Sequence, residues 1–443
     1  MKALKLSIAL LIITGTVFIA NSIFSQSNQG WDDPNLDRIP RHLLQQSQNQ
    51  QNFSPLSTNS SINTGADGYD NFFLGTDFAE PHMSINPRDP LQYFAAYNTN
   101  ATYYTMNGLN WFTNNPNFGF SMAGDPVTAY DSLGTLYYEN MYESGTSIVG
   151  TKIAVSTNNG LTWSITGGNT GNDKNWIAAD QSAGPYSNYV YSTMTSGISC
   201  NVYRSTDRGQ SFIYAQTLSP HNLPGAMPCV GPNVIGGDIP GGCVYVVTNS
   251  GNSFAATYSF FVSTNGGASF SLKSQQNFAG YVGTNVGGRN SVQNMRTRPY
   301  PFITADNSYG PYRGRLYLVY ANNMPAGDGN KPDIFCRYST DQGMTFSTPV
   351  QINDDVNPTA NHQWHPAVWC DKQTGRLYVK WLDTRNCPTS DSCEVYASYS
   401  SNGGASFVSN SKISNKLFKI DCSGCGGGGI PKYLGDYDTI TSY

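Results

Sequence analysis

The chain has 443 residues, of which 12% are charged and 39% hydrophobic, with 45 Gly, 24 Pro, 29 Tyr and a formal net charge of −4. Soluble domains average about 25% charged residues, so neither charge-driven disorder nor a long helical or coiled-coil architecture fits this composition. The mild acidity leaves no electrostatic footprint for nucleic acid, and the wealth of Gly, Asn, Ser, Thr and Tyr points to short strands joined by tight turns.

Met1-Lys2-Ala3-Leu4-Lys5 precedes an apolar run from Leu6 to Phe24 and the small residue Ser25. That order predicts a signal peptide over 1–25, cut before Gln26. No basic cluster follows to hold the run in a bilayer, so no stable membrane span is expected after its removal, and the protein is expected to be secreted or at the cell surface. Residues 26–64, with QQSQNQQNF and STNSSIN, lack apolar periodicity and read as a polar flexible leader. Export makes the nine cysteines candidate disulfide partners. Cys387 with Cys393, Cys229 with Cys243 and Cys336 with Cys370 are the expected pairs, and Cys422–Cys425 reads as a small structural loop.

From about residue 65 the chain repeats. STNNGLTW begins at Ser156, STDRGQSF at Ser205, STNGGASF at Ser263, STDQGMTF at Ser339 and SSNGGASF at Ser400, with a degenerate YTMNGLNW at Tyr104. The Asp or Asn in third place suits a turn that accepts backbone N–H groups, and the Gly supplies a positive φ. Upstream of each copy recur an apolar strand, often opened by Pro, a turn with Asp and Gly, and a Tyr-containing strand, as in EPHMSINPRDPLQYFAAY and TADNSYGPYRGRLYLVYA. Four strands in roughly 50 to 75 residues match one propeller blade, and units this short bury too little apart from their neighbours. The fold expected is an all-β propeller of four-stranded blades over 65–443, with six complete repeats. IPKYLGDYDTITSY, Ile430 to Tyr443, reads as the first strand of a seventh blade, either cut short or used as a clasp.

The octapeptides resemble Asp-boxes, or BNR repeats, the turn motif of sialidases and other propellers. The resemblance implies that each octapeptide lies on the turn between the third and fourth strands, and it leaves activity open. It also implies what a sialidase-like site would need. In that family three arginines take the sugar carboxylate, a Tyr activated by a Glu attacks, and an Asp serves as acid and base. On this sequence Arg298 and Arg385 could supply two of the arginines, with Arg296 as an alternative. Glu80, Asp383 and Tyr437 complete the catalytic candidates, although Glu139, Glu143 and Tyr300 are equally open to a Tyr–Glu pairing.

Candidate ligand contacts, taken from loops that enter the first strands, are His82, Arg296, Trp364, His365 and Asp436. WLDTRN, Trp381 to Asn386, looks like a stretch common in bacterial secreted BNR-repeat proteins; its Asp and Arg, two apart on one side of a strand, are expected to pair with each other or with a neighbouring blade and to hold the rim rigid. His362 and His365 lack a third ligand at recognisable spacing, so neither metal nor cofactor is expected. The resulting expectation is a monomeric extracellular propeller that acts on or binds glycans or glycoproteins, as an exo-sialidase type of hydrolase. The alternative is a non-catalytic surface, adhesion or protein-binding propeller.

Overall fold

The computed structural model describes residues 62–64, 68–74, 79–252, 254–293, 295–329, 331–356, 360–387, 392–419 and 435–443. The signal peptide, nearly all of the leader, Cys422 and Cys425 lie outside them.

Six antiparallel sheets of at least four strands follow one another along the described residues. Blade 1 comprises His82–Ile85, Tyr93–Tyr97, Ala101–Thr105 and Trp111–Phe112, and blade 2 comprises Ser121–Tyr130, Leu136–Ser144, Ser147–Ser156 and Ser164–Thr170. Blade 3 runs through Asp173–Ala179, Val190–Ser196, Ser199–Ser205 and Ile213–Leu218, and blade 4 through Leu223–Asn233, Ile239–Asn252, Ala255–Ser263 and Ser271–Ala279. Blade 5 has Phe302–Ala305, Leu316–Asn323, Pro332–Ser339 and Val350–Gln351, and blade 6 has Gln363–Cys370, Leu377–Asp383, Ser392–Ser400 and Ser411–Lys412. The first strands of successive blades touch in order, which places them around a common axis. This is the predicted all-β propeller.

Two features outside the repeat bear on the axis. A three-stranded sheet, Thr284–Val286, Arg289–Val292 and Met295–Thr297, is inserted between blades 4 and 5. Residues 435–443 run beside the first strand of blade 1, where the Met83 N–H donates to Thr439 Oγ1 at 2.8 Å. They also meet blade 6 through Lys380–Asp438 and Trp369–Ser442 contacts.

Every octapeptide lies between a third and a fourth strand. In each of the five full copies the first Ser hydroxyl donates to the Asx side chain and accepts the Gly N–H, as at Ser205 (2.7 Å to Asp207, 2.8 Å from Gly209). The motif also fastens each blade to the one before it. Asn159 bonds the Thr105 carbonyl, Arg208 bonds Asp131 and Gln342 bonds Asn233.

The expected disulfides are not formed, and no bond joins any pair of the described cysteines. Cys336 sits on the third strand of blade 5 and Cys370 at the end of the first strand of blade 6. Both are buried, and Cys229 lies near Cys243 on the adjoining strand without bonding to it. These thiols, and Cys393, fill space between strands as small apolar groups. Burial pushes all of them above the usual thiol pKa. No helix of the described residues is long and apolar enough to cross a membrane.

Candidate functional site

At the strand-entrance end of the axis one residue of each of four blades takes a positive φ, within a β-bulge of the first strand in blades 2, 3 and 6 and just before the first strand in blade 1. Glu80 has φ 57°, Asp125 55°, Lys174 40° and His365 53°. Such backbone costs on the order of 1–3 kcal/mol per residue and re-aims a side chain out of the strand alternation. Here it gathers charges at the axis.

Lys174 Nζ lies 2.7 Å from Glu80 Oε1, 3.1 Å from Asp436 Oδ2 and 3.2 Å from Asp125 Oδ2. Arg296, brought in by the inserted sheet, donates to Asp436 Oδ2 at 2.8 Å. All five side chains are buried, with at most 8% exposed. Burial works against the Asp436 charge, yet Arg296, Lys174 and Arg298 together hold its carboxyl well below the usual range. Burial is the largest influence on Glu80 and opposes its charge, yet the Lys174 ammonium together with a hydrogen bond from Asp125 brings the pKa below the usual carboxyl value. Asp125 goes the other way, raised by burial and then by the neighbouring Glu80. The two carboxyls are thus pushed in opposite directions, Glu80 toward its charged form and Asp125 toward its protonated one.

The predicted residues divide into three groups. Glu80, Arg296 and Asp436 converge in this cluster, and Arg298 and His365 exert their charge effects on or from it. Burial keeps His365 neutral. Deeper on the axis, His82 accepts the Thr128 N–H on Nδ1 at 3.2 Å, packs edge-on against Trp176 and is held neutral, its pKa taken by burial down to about 3. Tyr437 donates its hydroxyl to the Pro126 carbonyl at 3.0 Å, and burial raises its pKa far above that of a free phenol. That phenol is directed at a backbone carbonyl and is hard to ionise, unlike the attacking Tyr expected from the resemblance.

Asp383 and Arg385 belong elsewhere. Their contacts lie within blades 5 and 6, where Asp383 Oδ2 accepts from Trp381 Nε1 (2.9 Å) and from Arg385 Nε and Nη2 (3.0 and 2.8 Å). Arg385 also reaches Asp354 and Asn410 and lies 4.1 Å over the Tyr396 ring. This is the predicted Asp–Arg pairing that stiffens the rim. Around it Asn353, Asn361 and Gln363 bond Asp333, Asp355 and Asp383. The expectation that Trp364 faces a ligand is corrected, because Trp364 is fully buried in the core between blades 5 and 6.

Lys174, at the centre of the axial cluster, was not among the sequence candidates. A signal was present: an ionisable residue directly before Pro recurs at first strands, in Glu80-Pro81, Asp125-Pro126, Arg298-Pro299 and His365-Pro366. Lys174-Asn175 takes the same place without the Pro. At the opposite end of the axis is a cavity of about 460 Å³.

No protein-family model and no curated protein matches the chain. Among solved structures, a xyloglucanase from Xanthomonas campestris matches at 14% identity and TM-score 0.46, over 80% of this chain and 46% of that one. A Hadza microbial sialidase matches at 13% identity and TM-score 0.40, over 69% and 62%. An α-L-arabinanase from Penicillium chrysogenum matches at 15% identity and TM-score 0.37, and the pairing spans 51% of this chain and 63% of the arabinanase. At these identities the likeness concerns the fold alone.

Proposed function

We propose that this chain is an extracellular carbohydrate-binding propeller of the Asp-box type that does not turn over sialosides. One observation carries the reading: two of the three candidate guanidinium groups, and the candidate phenol, already face groups of the protein itself. Arg296 is paired with Asp436, Arg385 with Asp383 and Asp354, and Tyr437 with the Pro126 carbonyl.

The rim of blades 5 and 6 suits recognition without bond cleavage. It holds amides and carboxylates in one rigid hydrogen-bonded array beside the exposed Asn386, whose Nδ2 bonds Glu394 and the Tyr396 hydroxyl. Fixed amides and carboxylates are what a sugar's hydroxyls require. The apolar N-terminal run and the octapeptides support export and Asp-box membership.

The test is binding of the purified full-length protein to an array of immobilised neutral and acidic oligosaccharides, run alongside a fluorogenic sialoside assay. Saturable binding is expected to weaken about two- to tenfold in Asn386→Ala, the scale of one neutral hydrogen bond. Sialoside turnover that disappears in Arg298→Ala would overturn the reading.

A further inference from the structure

The first strands leave the axial cavity of about 460 Å³ at the end that carries the first-to-second-strand turns, away from the ion cluster. This volume is within the range of small-molecule sites, about 300–1,000 Å³. Its walls are mostly apolar, with Ile177, Val230, Ile303 and Val368 beside the rings of Trp176 and Phe302.

Most of the His, Arg, Lys and Asp side chains that line it already have partners. Arg313 is held by Asp238 at 2.7 Å and by the carbonyls of Asn307 and Ser308. Asp438 is paired with Lys380, and His82 is neutral. Asp180 accepts the Ser182 N–H at 2.7 Å, and burial raises its pKa. Nearby Asp371 is taken up by Thr374 and Ser442. Lys372 differs. Its ammonium reaches across the axis from blade 6 to Gln181 of blade 3, where a single neutral oxygen lies 3.4 Å away. A half-buried ammonium at an apolar cavity with so long and neutral a contact has donors to spare. Burial disfavours its charge, and the adjacent Asp371 carboxylate favours it only in part.

We propose that this cavity is a binding site for a small amphipathic carboxylate, an aryl- or alkyl-carboxylic acid whose apolar body lies between Trp176 and Phe302 and whose carboxylate accepts from Lys372 Nζ. One ammonium suits a monoanion, whereas a phosphate dianion calls for a guanidinium fork or several cations. The site is independent of the rim of blades 5 and 6, and neither proposal requires the other.

The test is a titration of the full-length protein with 4-phenylbutyrate and, in parallel, the isosteric 4-phenylbutanamide, read by tryptophan fluorescence and calorimetry. The acid is expected to bind saturably, and the amide at least about tenfold more weakly, the scale of one charge-assisted hydrogen bond. Lys372→Met is expected to bring the acid down to the level of the amide without changing the amide. Asn386→Ala is expected to leave both unchanged. Equal binding of acid and amide by the wild type, which needs no variant, would overturn the proposal. So would a preference that survives Lys372→Met, or the absence of saturable binding by either probe.

Discussion

Glu139 is a carboxyl with no exposure at all, on the second strand of blade 2 where blade 3 packs against it. Oε1 accepts from Thr151 Oγ1 at 2.7 Å and from Ser192 Oγ at 2.6 Å. Burial raises its pKa to about 7 against those hydrogen bonds. A raised carboxyl pKa means that the unfolded chain gives up this proton first. The stabilisation from neutral Glu139 is therefore complete below about pH 4.5 and is lost as pH rises to about 7. The difference corresponds to roughly 3 kcal/mol. Glu139→Gln keeps the shape and removes the titration. Denaturant melts between pH 4 and 8 are expected to show the wild type losing stability and the variant holding its own, with the variant ahead at pH 8. Equal slopes would disprove this. The sequence left Glu139 open to a Tyr–Glu pairing; in the structure it instead lies in the interface between blades 2 and 3.

The octapeptide works as an element through its glycine as much as through its Ser and Asx. Gly209 has φ 79°, and a Cβ there would come within 2.7 Å of Tyr137 in the preceding blade; at Gly267 the partner is Tyr191, at 2.6 Å. These tyrosines are fully buried members of the repeated second strands. The repeat thus needs glycine twice over, for backbone conformation and for contact with the neighbouring blade. Gly197 has φ 60° with nothing within 4 Å, so it isolates the backbone contribution. Gly197→Ala is expected to cost about 1 kcal/mol, and Gly209→Ala about 2–4 kcal/mol, in urea unfolding. If the two cost the same, the tyrosine contact contributes nothing.

For the whole molecule, the axial ion cluster ties five separate parts of the chain together. Glu80 comes from blade 1, Asp125 from blade 2, Lys174 from blade 3 and Asp436 from the segment beside blade 1, with Arg296 entering from the insert. Removing one partner of a buried pair leaves uncompensated charge and costs about 3–5 kcal/mol. Lys174→Met is expected to lose that much in denaturant melts, and Lys174→Met combined with Glu80→Gln to recover part of it. Raising salt should change the wild-type stability little, because buried pairs are weakly screened. A single variant as stable as the wild type would mean that the cluster does not hold the axis together.

Much of the propeller could be read in the sequence because its causes are local. The Ser, Asx and Gly of each octapeptide lie within a few residues of one another, and strand alternation and Asp-Gly turns act over similar distances. Repetition then implied stacking, since no single unit has a core of its own. The site was legible only in part. Glu80, Arg296 and Asp436 were candidates in the sequence, but their convergence depends on single residues with positive φ, such as Glu80, and on an insert between blades 4 and 5. Asp383 and Arg385 pair locally, two residues apart, and that pairing was foreseen. Trp364 was not foreseen as core, because whether a strand end meets solvent or the next blade is a property of packing. Local backbone chemistry and its repetition along the sequence determined the architecture. Tertiary structure alone decided which charges neutralise one another and where space remains, because residues as far apart as Glu80 and Asp436 meet only when the blades are arranged around their axis.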